Sequence, residues 1–443
     1  MPGQSPRRRL ALPLSVALVV AAAVGVTSRV GGGVGPVAAA DRTPPIVVGI
    51  PPEITFHGRG WGHGVGMSQH GARGRALAGQ DASTILAHYY AGTTLGTKDP
   101  ASQVRVLLLN KHAATAAAPL AVIGRGGAWR IENVGPVFPA DARLTLWPAA
   151  AGSTTWSLKV VSAGGAQLHA QAVSGGVVVR PEAGSTLLQL DSKPSTFDKY
   201  RGALRIRLST TAIVVNEVGL DVYLRGVVPV EMPASWPAEA LAAQAIAARS
   251  YAAYRLHPGS GAFDVHDDTR SQVYRGAEGE AATTNAAIAA TSGLVVRSGS
   301  AIANAMFHST GGGATEHNEN VFVSSTGAIV ASPVPYLRGS PDRRPDGTSY
   351  DAGAPLATWK TASYTMAELS AIFGRDPRTN SGALRRLDLS RRGISGRLIS
   401  VTLVGSAGSR RVSGDVFRAV FNAGKPDADP ELRSTLFDTR PIP

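Results

Sequence analysis

The sequence predicts a β-rich α+β fold, and three observations carry that expectation. Short β-branched or leucine-rich runs, VRVLLL, TLLQL, LRIRL and AIVVN, recur between Val104 and Val215, set apart by Gly, Pro, Ser and Asp. Eighty of the 443 residues are glycine or proline, a turn-rich composition that suits a globular protein better than a helical bundle. One long alanine-rich stretch, ASWPAEALAAQAIAARSYAAYRL, follows VVPVEMP and reads as the principal helix.

At the N-terminus, Arg7, Arg8 and Arg9 precede an apolar run from Leu10 to Val24, and Ala38, Ala39 and Ala40 offer small residues before Asp41. Residues 1–40 thus have the architecture of a signal peptide and predict export, to a secreted or cell-surface location. The rival reading is an uncleaved membrane anchor. Residues 41–55 form a proline-rich linker. In HGRGWGHGVGMSQHG, residues 57–71, glycine stands at 58, 60, 62, 64, 66 and 71. That spacing is neither a P-loop nor a dinucleotide fingerprint. It allows backbone to approach another group closely, and it displays Trp61 and His63 between the glycines. Ala72 to Tyr90 then has helical spacing, with Asp81 or Ser83 as a cap.

Within the strand-rich stretch, Trp129, Trp147 and Trp156 read as core or edge aromatics. Further on, Ser235 or Ala234 can cap the alanine-rich helix, with Pro237 in its first turn, where a missing N–H costs nothing. Phe263 to Gly276 reads as polar loop and Ala281 to Thr291 as a short helix. LVVR and AIANAMFHS read as strands leading to the triplet Gly311–Gly313. A helix around Met366 to Phe373 and strands at LRRLDL and LISVTLVG complete the pattern.

No cysteine is present, which excludes disulfides, a thiol nucleophile and cysteine-based zinc sites. The net charge is +13, and +9 without residues 1–40, which hold four arginines and no acid. Such a chain is attracted to an anionic envelope. Nucleic acid is the competing partner, but no Lys/Arg block follows the leader and no nucleic-acid motif is present.

Glu231 stands between Pro229 and Pro233, after Val227, Val228 and Val230. Stiff backbone and apolar neighbours favour its neutral form and can raise its pKa toward that of a useful general acid. By position alone, a helix cap or a salt-bridge partner explains it as well. His308 and Ser309 precede the glycine triplet, but adjacent residues on a strand face opposite ways, and no G-x-S-x-G elbow exists. Histidines 57, 63, 70 and 88 match no zinc spacing, and His266 with Asp264, Asp267 and Asp268 reads as a solvated polar cluster. No metal or other cofactor is expected.

The motifs YRGALRI, VVNEVGLDVYLRGVVPVEMPASWPAEALAAQAIAARSYAAY, SQVYRG, FHSTGGGATE and PYLRG, with GRGWGHGVGMSQHGA and ILAHYYAGTTL, resemble the stage II sporulation protein D and amidase-enhancer LytB family. In that family the GWGHGVGMSQ signature comes late in the domain; at 56–98 it comes first, as in a circular permutation. On this resemblance, 56–98 packs on the catalytic domain, 101–199 is a β-rich subdomain, 200–345 is the SpoIID core, and 346–443 is a C-terminal α+β part of the same domain.

The resemblance implies a lytic transglycosylase cutting peptidoglycan glycan strands to 1,6-anhydro ends. The alternative is a non-catalytic enhancer of a cell-wall amidase. It places the catalytic carboxyl on Glu231 and makes Arg249 a residue that holds the site or the substrate, or a structural ion-pair partner. Gln272, Tyr274, His308, Ser309, Trp61 and His63 become substrate-cleft residues. Zinc-binding relatives use a cysteine that this chain lacks.

Overall fold

Ile54 and Phe56 are buried between more exposed neighbours along the strand Glu53–Arg59, the period of two that a single buried face requires. The strand lies between Thr358–Thr365 and Phe437–Asp438 and is antiparallel to both. It therefore cannot be a free-standing N-terminal arm. The computed structural model describes residues 53–257 and 259–442; the expected signal peptide at 1–40 and the expected linker as far as residue 52 lie outside them.

The described residues group into two units. The first comprises Gly96–Trp236 and Gln244–Val295, and the second 53–95, Pro237–Ala243 and 296–442. The span 200–345, read from sequence as one core, is thus divided between them.

The first unit holds two sheets. The seven-stranded one runs in the order Val265–His266, Gln103–His112, Ala212–Gly219, Ala203–Leu208, Gly176–Pro181, Trp129–Ile131, Val134–Phe138. All its pairings are antiparallel except the first. The six-stranded sheet runs Gln167–Ser174, Thr155–Val161, Arg143–Pro148, Leu120–Arg125, Leu187–Gln189, Lys199–Tyr200. The strand-rich reading of 104–215 holds, and the fold is the expected β-rich α+β. Trp129 and Trp156 are fully buried, and the Trp156 indole N–H donates to the Ser209 carbonyl at 2.6 Å. A buried indole needs such an acceptor.

The alanine-rich stretch forms the helix Ala238–Tyr254, with Pro237 immediately before it. Ala245, Ala247, Ala248 and Ala252 are buried, so slim side chains let this helix lie close to its neighbours. The short helix Ala282–Ala290 also forms where the sequence places it.

In the second unit, helical spacing over 72–90 resolves into two helices, Gln69–Leu77 and Ala82–Tyr89. Gly79, at φ +84°, breaks them, and Asp81 caps the second through Thr84 N–H. AIANAMFHS gives only two-residue strands at Ala301–Ile302 and Phe307–His308. The helix Met366–Gly374 starts with a capping box between Thr365 and Glu368. It packs with Gly414–Gly424 over a core in which Phe56 meets Phe417, Phe421 and Phe437 edge-on at 5.3–5.8 Å. Among the described residues no helix is long and apolar enough to cross a membrane.

Because Phe56 is wholly buried and touches three other rings, Phe56→Ala should cost about 3–5 kcal/mol. Urea denaturation followed by tryptophan fluorescence checks this; a loss below 1 kcal/mol would mean the first strand is not integral to the core.

Candidate functional site

Glu231 precedes the alanine-rich helix, as its sequence position suggested, but it also belongs to a short helix of its own. It is the last residue of the four-residue helix Val228–Glu231, with Pro229 in the first turn. Its backbone N–H donates to Val227 O at 3.1 Å, and Met232 N–H closes the turn on Val228 O. Val227, Val228 and Met232 are buried, while Glu231 itself is half-buried. The short turn therefore anchors in the core by its apolar side chains and leaves the carboxyl at a boundary.

One carboxyl oxygen, Oε1, accepts from Val273 N–H at 3.3 Å. Beside Val273, Gln272 accepts from Tyr223 Oη and donates to Ala248 O, both at 3.4 Å. Tyr223 and Tyr251 are both buried, and burial raises both phenol pKa values; the Glu231 charge raises each further and the Arg255 charge lowers each. Glu231 thus shares its surroundings with two protonated phenols and a guanidinium. Tyr223, Tyr251 and Arg255 were missed in the sequence, although Arg255 follows Tyr251 by four residues, just past the end of the principal helix.

The structure gives several expected cleft residues internal work. Tyr274 is buried, donates to Asn216 Oδ1 at 2.9 Å and packs 5.0 Å from the Tyr223 ring. Gln272 is equally buried. Both form the wall behind Glu231. Arg249 is buried, and its Nε donates to Asp221 Oδ1 at 2.6 Å. Its other nitrogens donate to Leu294 O at 3.1 Å and Ile288 O at 3.2 Å. Of the two readings of Arg249, the ion-pair partner is the one the structure displays.

The polar loop resolves into separate ion pairs. Asp264 accepts from Arg105, Asp267 from Lys193 and Asp268 from Arg270. These acids are matched one by one with cations rather than gathered as a set of ligands.

Trp61, His63, His308 and Ser309 come together in the second unit. Trp61 and Thr310 exchange two backbone hydrogen bonds, at 2.9 and 3.0 Å. Phe307–His308 pairs in parallel with Met67–Ser68. Gly64 and Gly66 have φ of +84° and +70°; a Cβ on Gly66 would lie 2.1 Å from Met306 O, and one on Gly64 would lie 2.3 Å from the Arg397 guanidinium. The glycine alternation thus serves close backbone approach.

His63 Nδ1 accepts from Val65 N–H at 3.0 Å, and the ring also hydrogen-bonds the Phe307 carbonyl, which fixes the Nε2–H tautomer. His308 Nδ1 lies 3.3 Å from Val65 O, its Nε2 is buried without a hydrogen-bond partner, and the two rings are 5.4 Å apart. Ser309 Oγ contacts Thr310 Oγ1 at 3.3 Å. The triplet is not an oxyanion site, because Gly311 N–H is committed to Ser68 Oγ and Gly312 N–H to Asp351. Sequence reasoning also passed over Glu316, which is fully buried and accepts from Asn320, Ile394 and Ser395, and over buried Arg397.

Burial, and then the Arg397 charge, lowers the His63 pKa to about 4. Burial and Arg75 do the same for His88, and burial holds His308 well below 6.5. The unfolded chain, with histidines near 6.5, binds more protons than the folded one below that pH. These histidines should therefore make stability fall as pH drops from 6.5 toward 4. Imidazole NMR titration and the unfolding midpoint against pH check this; a His63 resonance titrating near 6.5 would contradict it.

Comparison with known proteins bears on this geometry. Residues 209–297 match the family model of the Stage II sporulation protein, SpoIID. Over 167 residues the chain is 36% identical to an uncharacterized protein of Brachyspira hyodysenteriae (strain ATCC 49526 / WA1), covering 37% of this chain and 41% of the relative. It is 34% identical over 164 residues to the amidase enhancer of Bacillus subtilis (strain 168), covering 34% and 21% of the two chains. It is 48% identical over 46 residues to stage II sporulation protein D of the same organism, covering 10% and 13%. The aligned part spans less than half the length of each of these relatives. The segment 209–297, which holds Glu231, Arg249, Gln272 and Tyr274, is thus similar to the Stage II sporulation protein family.

Proposed function

We propose that this chain is exported to the cell wall and cleaves peptidoglycan glycan strands as a lytic transglycosylase, with Glu231 as its acid and base. The observation that carries the reading is the setting of Glu231. A half-buried carboxyl on a rigid turn accepts a backbone N–H, with two phenols and a guanidinium around it. The family resemblance and the basic charge of the chain, suited to an anionic wall, support it.

The chemistry asks one carboxyl to do two jobs. Protonated Glu231 gives its proton to the glycosidic oxygen between N-acetylmuramic acid and N-acetylglucosamine, and the C1–O bond breaks. The muramic C6 hydroxyl then bonds to C1, and its proton returns to the Glu231 carboxylate. No water is consumed, the product carries a 1,6-anhydro ring, and the enzyme ends as it began. A hydrolase would need a second carboxylate to activate water or to act as nucleophile; this route does not.

One relative is named an amidase enhancer, which favours a second reading, a non-catalytic module that assists a wall amidase. Digestion of purified glycan strands followed by mass spectrometry separates the two. Anhydro-muramic products should appear with the native chain, and Glu231→Gln should slow their formation by roughly 10²–10⁴-fold. Intact strands, together with faster cleavage by an added amidase, would establish the enhancer instead.

A further inference from the structure

Tyr251 and Tyr254 at the C-terminal end of the principal helix, with Arg255 just past it, extend the surroundings of Glu231 to an exposed ring. Tyr254 is 52% exposed, although it is a large aromatic on a well-packed helix. Arg255 follows it, with its guanidinium carbon 3.3 Å from the Tyr251 ring centroid and 5.8 Å from the Tyr254 ring centroid. Arg255 also donates to Tyr251 O at 3.0 Å. The guanidinium is therefore fixed between a buried ring and an exposed one, and much of the rotamer entropy that binding would otherwise cost is already spent.

Hydrogen bonds and chain neighbours together link this group to Glu231. Glu231 accepts from Val273, the neighbouring Gln272 donates to Ala248 O, and Ala248 lies one helical turn before Tyr251. The Glu231 and Arg255 charges both act on Tyr251 and Tyr223, in opposite senses.

An exposed aromatic face beside a preorganised planar donor is the chemistry that recognises a pyranose. The axial C–H groups of a β-linked sugar lie flat on an aromatic ring, while its equatorial hydroxyl and N-acetyl oxygens reach sideways for N–H donors. We infer that Tyr254 and Arg255 form a saccharide subsite beside Glu231, in which a sugar ring of the glycan stacks on Tyr254 and accepts hydrogen bonds from Arg255. The inference rests on Glu231 being the residue that cuts the strand, and it adds the residues that hold the glycan next to it.

The test measures binding apart from cutting. The full chain carrying Glu231→Gln is titrated with purified glycan strands by calorimetry, alone and with Tyr254→Ala, Tyr254→Phe or Arg255→Lys added. Tyr254→Ala should raise Kd about three- to tenfold, the worth of one aromatic stacking contact. Tyr254→Phe should bind as the parent does, and Arg255→Lys should weaken binding because an ammonium lacks the planar fork. Matching melting temperatures confirm that each variant is folded.

Equal Kd values for the parent and Tyr254→Ala would overturn the subsite, as would a parent that does not bind the strands. If Tyr254→Ala weakens binding while Glu231→Gln in the otherwise native chain still releases anhydro products, the subsite stands and the role of Glu231 falls.

Discussion

Backbone packed on backbone, with no clearance for side chains, holds the second unit in register. The segment from Gly60 to Gly66 lies against 306–312 through the Trp61–Thr310 hydrogen bonds and the Met67 N–H to Met306 O bond. A Cβ on Gly60 would come within 2.6 Å of Thr310 O. Once the backbones touch, Ser68 can cap the helix Gln69–Leu77 and take the Gly311 N–H with the same hydroxyl oxygen. The same approach brings Arg75 and Tyr89 to Asp342, a fully buried carboxyl that accepts from both. Burial raises the Asp342 pKa, so this acid depends on its hydrogen-bond donors to remain in the core. The glycines thus permit the approach, and the buried polar contacts then fix its register.

The first unit relies on a different device. Arg249 binds three separate pieces of chain, at Asp221, Ile288 and Leu294, with one guanidinium. Asp221 lies in the helix Leu220–Arg225, whose C-terminal end runs through Gly226 into the Glu231 turn. Burying a charge is costly unless every partner is in place, so this contact tolerates one arrangement of the three pieces. Arg249 can thus be essential to the site without touching anything bound there. The ion pair governs where the Val228–Glu231 turn begins, and Tyr274 and Gln272 govern what stands behind it.

Much of this was legible in the sequence because period and composition report local geometry. The strands between 104 and 215, the alanine-rich helix and the Met366–Gly374 helix each follow from patterns within a few residues. The importance of 209–297 was also readable, since many short motifs agree there with one family. What escaped was set by distant partners. Nothing local to Arg249 reveals that Asp221 neutralises it, and nothing in FHSTGGGATE reveals that Glu316 is filled by donors from Ile394 and Ser395, nearly eighty residues later. The short helix that ends at Glu231 escaped notice because four helical residues containing a proline carry almost no periodic signal. The AIANAMFHS segment reads as a continuous strand but pairs only at its ends, where backbone partners exist for it.

On the proposed reading Glu231 must first give a proton and then take one, and its surroundings combine buried apolar side chains with a backbone N–H donor. Val227, Val228 and Met232 are buried beside it, so the turn meets the core through apolar side chains. Val273 N–H donates to Oε1, a bond that is charge-assisted when the carboxyl is ionised. The phenols cannot take over either role. Their pKa values are raised by burial, so at neutral pH they keep their protons and serve only as hydrogen-bonding walls. For the proposed cut, which returns the borrowed proton to the same residue, what the fold supplies is position: Pro229 and its valine neighbours hold the turn against the core while the carboxyl stays at its edge.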